Sequence, residues 1–151
     1  MKATAFGVGA GGELVQGLMG KQHFHLSCPV NLASKVTVSL GADEQATFPM
    51  WLYPKTALAI KKVLALKGLE NEPFTFKVER NFPAGKGLAS STADITAAAL
   101  AAASLIGLKL TEKQLAKLAA SIEPTDGTIF KEIVVFDHKK GELLFKAGSP
   151  P

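Results

Sequence analysis

The chain has 151 residues, 47% of them hydrophobic and 20% charged, with a formal net charge of +4. That length suits one domain with its own core, and no apolar run approaches the roughly 20 residues a membrane helix needs. The seventeen basic residues are interspersed with thirteen acidic ones, which argues against a nucleic-acid-binding face, and a single cysteine, Cys28, excludes an internal disulfide and points to a reducing cytoplasm.

The first forty residues read as strands and turns. Glu13-Leu14-Val15-Gln16 is bracketed by Gly12 and Gly17, Phe24-His25-Leu26-Ser27-Cys28 is expected to stop at Pro29, and Lys35-Val36-Thr37-Val38-Ser39-Leu40 alternates like a strand with one buried face. Pro54 suits a first helical turn, and Leu58, Ile60, Val63, Leu64 and Leu66 then follow at helical spacing until Gly68. Phe74-Thr75-Phe76-Lys77-Val78-Glu79 predicts another strand, and a long helix is expected over residues 92–106 with Gly107 as its C-terminal cap. A capping box of Thr111 and Gln114 opens a further helix with Leu115, Leu118 and Ala119 on its apolar face. Residues 130–136 and 142–145 read as two late strands around a turn that carries His138. Strands that flank helices without regular alternation favour an α+β two-layer sandwich. The domain is expected to run over residues 1–146, with residues 147–151 starting a linker.

The stretch Pro83-Ala84-Gly85-Lys86-Gly87-Leu88-Ala89-Ser90-Ser91-Thr92-Ala93-Asp94 is the most informative. Its glycines permit conformations in which successive N–H groups face one centre. Ser90 and Ser91 place hydroxyls where a helix begins, at free N–H donors and the positive end of the dipole, an arrangement that suits a phosphate. Lys86 adds a mobile positive charge. The small residues Thr96 to Ala99 and Ala101 to Ser104 would let this helix lie close to a sheet. On residue types alone a second reading stays open: Ser91-Thr92-Ala93-Asp94 also fits an ordinary capping box after a glycine-rich turn.

The pattern Pro-x-x-x-Gly-Leu-x-Ser-Ser, present at residues 83–91, resembles the phosphate loop of the GHMP kinases. Gly12-Glu13-Leu14-Val15-Gln16-Gly17, Ser27-Cys28-Pro29-Val30 and Ile122-Glu123-Pro124-Thr125-Asp126-Gly127 are similar to the L-threonine kinase branch, known from cobalamin synthesis and propanediol utilization. The chain departs from that branch at Val8-Gly9-Ala10-Gly11, where a proline and a Ser-Cys pair are missing. The resemblance implies a fold like domain 2 of ribosomal protein S5. It also implies ATP and Mg2+ as cofactors, and phosphorylation of a hydroxyl on a small acceptor, L-threonine first. Residues 83–91 would hold the nucleotide, Ser91 and Glu123 the Mg2+, and Asp126 would be the catalytic aspartate. Glu13, Gln16 and Cys28 would lie near the acceptor, with Glu13 suited to an amino group. Such kinases continue into a second domain, so this chain alone is expected to turn over weakly or not at all; a homo-oligomer stays open.

Other readings fit less well. Gly7-x-Gly9-x-x-Gly12 matches a dinucleotide fingerprint literally, but the residues after it read as a strand and no acid lies near Asn31, where the ribose partner is expected. No Walker motif and no protein-kinase motif occurs. His23 and His25 lack a neighbouring ligand in sequence, which speaks against a metal site. His138 is expected in solvent. A truncated domain acting as a nucleotide- or RNA-binding module is the alternative to an enzyme.

Overall fold

The computed structural model describes residues 1–41 and 50–150, with the Glu13 side chain outside that description. Two long strands dominate it: β1, Lys2–Met19, and β2, Gln22–Leu40, joined by a tight turn with Gly20 at φ +64°. They replace the three short strands expected here. Pro29 does not end β2. It stands opposite Ala10, where the β1 register slips and the Ala10 N–H bonds the Leu88 carbonyl (3.0 Å), and such an irregularity in the ladder is where a sheet tolerates proline.

The remaining strands among the described residues are β3 (Phe74–Arg80), β4 (Ile133–Asp137) and β5 (Glu142–Gly148). The five form one antiparallel sheet. Along one edge β2 carries β1; on the other it pairs first with β4 through His25 to Ser27 and then with β3 through Ser34 to Leu40, and β5 completes the β4 side. Only a strand as long as β2 can serve both partners. β4 starts three residues later than expected, because bends at residues 130–132 follow the 3-10 turn Gly127–Ile129 before pairing begins. Pairing carries β5 to Gly148, two residues into the segment expected to open a linker.

The helices α1 (Pro54–Ala65), α2 (Ser90–Leu105) and α3 (Glu112–Ala120) make the second layer, as expected for an α+β sandwich. α1 buries Ile60, Val63 and Leu64 but turns Leu58 and Leu66 outward. It ends at Gly68 (φ +69°), across which the Leu69 N–H bonds the Leu64 carbonyl; Gly107 ends α2 in the same way through Leu108 and Ala103. The Thr111–Gln114 capping box forms, with bonds of 2.9 and 3.2 Å in its two directions.

α2 is the centre of the fold. It is buried almost all round, against β1 and β2 on one side and α1 and α3 on the others, which its run of alanines allows. Gly7 of β1 meets it so closely that an added Cβ would lie 1.9 Å from the Ala93 carbonyl oxygen. Val36 and Val38 of β2, Ile95, Val134 and Phe136 fill the space between the layers.

No helix among the described residues is long and apolar enough to cross a membrane.

Candidate active site

α2 begins two residues earlier than its sequence suggests, at Ser90, and without a capping box. Its N-cap is Ala89, whose φ of +56° makes it the one non-glycine in the left-handed region among the described residues. Gly85 and Gly87 both have φ +71°, so positive values recur at every second position through 85, 87 and 89. An alternation of this kind is the backbone pattern in which successive N–H groups can face one side and form an anion nest. The first backbone bond of α2 runs from the Ala93 N–H to the Ala89 carbonyl. The N–H groups of Ser90, Ser91 and Thr92 precede it, and they add donors at the positive end of the helix.

Asp94 does not cap the helix. Asp94 points inward, 4% exposed, where Arg80 grips it with two bonds (2.8 and 2.9 Å) and Ser34 donates a third of 2.6 Å. The Arg80 guanidinium also lies 5.5 Å from the Tyr53 ring centre. Its pKa is raised, first by the hydrogen bonds to Asp94. This cluster ties β3, the start of α1 and the first turns of α2 into one frame. The loop itself stays open to solvent; Phe82, buried, anchors its near end, and the Ala10–Leu88 bond anchors its far end.

A cavity of about 290 Å³ opens over the loop, lined by Gly85, Gly87, Leu88, Ala89, Ser90, Ser91, Thr92, Glu123, Pro124 and Asp126. The fold therefore brings two acids from the α3–β4 connection to the start of α2. Ser91 Oγ donates to Glu123 Oε1, and Lys55 of α1 donates to Glu123 Oε2. A serine hydroxyl beside a carboxylate offers the hard oxygens that Mg2+ takes. Asp126 sits deeper. Ser27 Oγ donates to its Oδ1 (3.4 Å), Thr92 Oγ1 donates to its Oδ2 (3.5 Å), and its own N–H donates back to Thr92 (3.2 Å).

The other expected site residues lie elsewhere. Pro83, Ala84 and Lys86 are exposed on the loop but do not line the cavity. Gln16 stands exposed on β1 opposite His25, and the Glu13 backbone pairs with Ser27. Cys28 lines a separate cavity of about 650 Å³, together with Thr96, Leu100, Leu115, Thr128 and Phe130.

Sequence reasoning missed Lys55, Ser27, His25 and Thr92. His25 has a carboxylate neighbour after all: its Nδ1 lies 3.5 Å from Asp126 Oδ1. His138, expected in solvent, is half-buried, with its ring edge-on to His23 and His25 at 5.7 and 5.8 Å. Burial lowers its pKa, and the two neighbouring histidines lower it further. No group of three or more ligating side chains forms a metal cluster among the described residues. Thr92 directly follows Ser91 and was the one of the four with a local signal. The others join the site over separations of 68 to 101 residues, beyond any local pattern.

Residues 53–130 match the model of the GHMP kinases N-terminal domain. An L-threonine kinase of Citrobacter freundii is 36% identical over 93% of this chain, which covers 48% of that protein. Among solved structures, a mevalonate kinase superposes with a TM-score of 0.66 at 15% identity, over 97% of this chain and 56% of its own. The phosphomevalonate kinase of Streptococcus pneumoniae, in complex with phosphomevalonate and AMPPNP, gives 0.59 at 17% identity, over 93% and 51%. The chain spans about half the length of the curated relatives it matches.

Proposed function

The chain belongs to the GHMP kinase family, as its N-terminal domain, and from that premise we propose that it binds Mg-ATP at the loop cavity and serves the phosphorylation of a small hydroxyl compound, L-threonine first. The observation that carries this reading is the alternating backbone at Gly85, Gly87 and Ala89, which lines the same cavity as Ser91, Glu123 and Asp126. The lysines of the sheet and of α3 favour it over an RNA-binding module. Lys35, Lys77, Lys117 and Lys146 are each paired with a glutamate, which leaves less charge for a phosphate backbone.

Each residue then has a task. The N–H groups of residues 85–91 receive phosphate oxygens, and Lys86 adds a charge that can follow them. Ser91 Oγ and Glu123 are the Mg2+ ligands; the ion, when bound, neutralises charge on the transferred phosphoryl group. Asp126 orients the acceptor hydroxyl and takes its proton, and Ser27 and Thr92 hold the carboxylate in position for that work. Glu13, Gln16 and Cys28, on the β1–β2 hairpin, are candidate acceptor contacts, Glu13 for an amino group. Residues 1–146 act as the nucleotide-binding domain, a second domain such as the resemblance implies would close the cleft, and the protein works in the cytoplasm. Positioning supplies much of the rate in phosphoryl transfer, so this chain alone should bind nucleotide and turn over poorly.

Calorimetric titration with Mg-ATP tests the reading. Ser91→Ala and Lys86→Ala each remove a charge-assisted contact and should weaken binding by about tenfold or more. Unchanged heats in both variants would take the loop out of the site. The acceptor is decided by assaying L-threonine, homoserine and mevalonate on a version as long as the relatives. In that version Asp126→Asn should lower turnover by about 10² to 10⁴ and leave nucleotide affinity intact.

A further inference from the structure

Glu123 has both carboxylate oxygens engaged by groups of the chain itself, the Ser91 hydroxyl on Oε1 and the Lys55 ammonium on Oε2. The two partners differ in what they can do next. Ser91 belongs to the first turn of α2, and its hydroxyl can rotate to present a lone pair to a metal without moving the backbone. Lys55 cannot stay where it is. An ammonium and a divalent cation repel at contact distance, so a metal bound by Glu123 displaces it.

The backbone around Lys55 is set firmly. It is the second residue of α1, directly after Pro54, and the Ala57 N–H bonds the Tyr53 carbonyl at 3.0 Å. Tyr53 in turn lies under Arg80, which grips Asp94 one turn into α2. The starts of α1 and α2 are thereby held at a constant separation. The Lys55 side chain is 54% exposed, whereas that of Glu123 is 15% exposed, so the lysine is free to swing and the glutamate is not.

Resting on the reading of Ser91 and Glu123 as the metal pair, we infer that Lys55 is a positioning residue that exchanges partners. It neutralises Glu123 until a metal–nucleotide complex arrives, and then passes to the phosphates, the anion that enters the same cavity. A strongly hydrated point charge on a flexible four-carbon stem suits that exchange better than a planar guanidinium would. Two consequences follow. Free metal competes with Lys55 and binds weakly. Metal that brings a triphosphate supplies the displaced ammonium with a new partner and binds well, so the site takes the complex in preference to the bare ion.

The test uses this chain and Mn2+ alone, with the free ion counted by electron paramagnetic resonance. Lys55→Met should bind Mn2+ about three- to tenfold more tightly than the unaltered chain, while its affinity for Mg-ATP falls about threefold or more. Lys55→Arg keeps the charge and should hold Mn2+ affinity at the starting value. Lys61→Met, on the same helix beside Glu70 and Glu72, controls for the loss of one positive charge and should change neither quantity. The inference is overturned if Lys55→Met leaves Mn2+ affinity unchanged, or if Lys61→Met raises it as much. Glu123→Gln separates this from the underlying reading. If it abolishes Mn2+ binding, a null result at Lys55 removes only the exchange; if Mn2+ binds as before, the metal pair is wrong and the exchange goes with it. Circular dichroism confirms that each variant is folded.

Discussion

Gly7→Ala is the sharpest test of how this fold builds its loop. Gly7 faces Ala93, one turn into α2, and a methyl group there would sit 1.9 Å from the Ala93 oxygen and 2.7 Å from its carbonyl carbon. Both are backbone atoms, so no side chain can rotate out of the way. To reach even the 3.0 Å below which Cβ contacts essentially never occur, strand and helix must part by about 1 Å. Overpacking of this kind costs about 1–3 kcal/mol, and a backbone clash belongs at the upper end. For a chain of this size the melting temperature should fall by about 5–10 °C. The displacement also moves Ser90 and Ser91, because they open the helix that is pushed, and Mg-ATP affinity should fall about tenfold, near 1.4 kcal/mol. Differential scanning calorimetry and nucleotide titration read the two effects. Gly148→Ala is the control, since nothing lies within 4 Å of its added Cβ. If Gly7→Ala melts within about 2 °C of the unaltered protein and binds Mg-ATP equally well, α2 is not held where we argue it is.

Two further outcomes follow from buried charge. Arg80→Met leaves Asp94 in the interior with Ser34 as its remaining partner and should cost about 3–5 kcal/mol, read as a lower urea midpoint. Adding Asp94→Asn to that variant removes the stranded charge and should recover a good part of the loss; no recovery would refute the pairing argument. His138 titrates in the opposite sense to a paired histidine. Its pKa is depressed in the folded state, so the unfolded chain takes the proton first; the stability it contributes is complete above about pH 6.5 and is lost as pH falls through the lower, folded value. The urea midpoint should drop between pH 7 and pH 5, and His138→Gln should flatten that drop.

Local patterns were enough for the elements governed by near neighbours. The Thr111–Gln114 box, the glycine stops at 68 and 107 and the alternation of residues 74–79 depend on contacts a few residues apart, and they appear as read. The turn at Gly85 and Gly87 was legible for the same reason, because glycine acts through the backbone it sits on. Pairing along β1 and β2 was not legible. Whether Pro29 breaks a strand depends on the ladder it meets, and opposite Ala10 that ladder is irregular.

The same division runs through the glycines and charges. Gly7 and Gly9 form part of a literal dinucleotide fingerprint, yet in the fold they make room for the Ala93 and Leu88 carbonyls, a role that exists only once α2 lies on β1. Asp94 looked like a helix-cap acid and became the buried partner of Arg80. Lys55 was one lysine among many until the packing of α1 set it on Glu123. The sequence by itself determined which backbone segments could turn, coil or cradle an anion, since those are properties of short stretches of chain. Which polar and charged groups meet was left to the tertiary structure, because a partner is chosen by distance in space: Lys55 and Glu123 lie 68 residues apart along the chain, and His25 and Asp126 lie 101 apart.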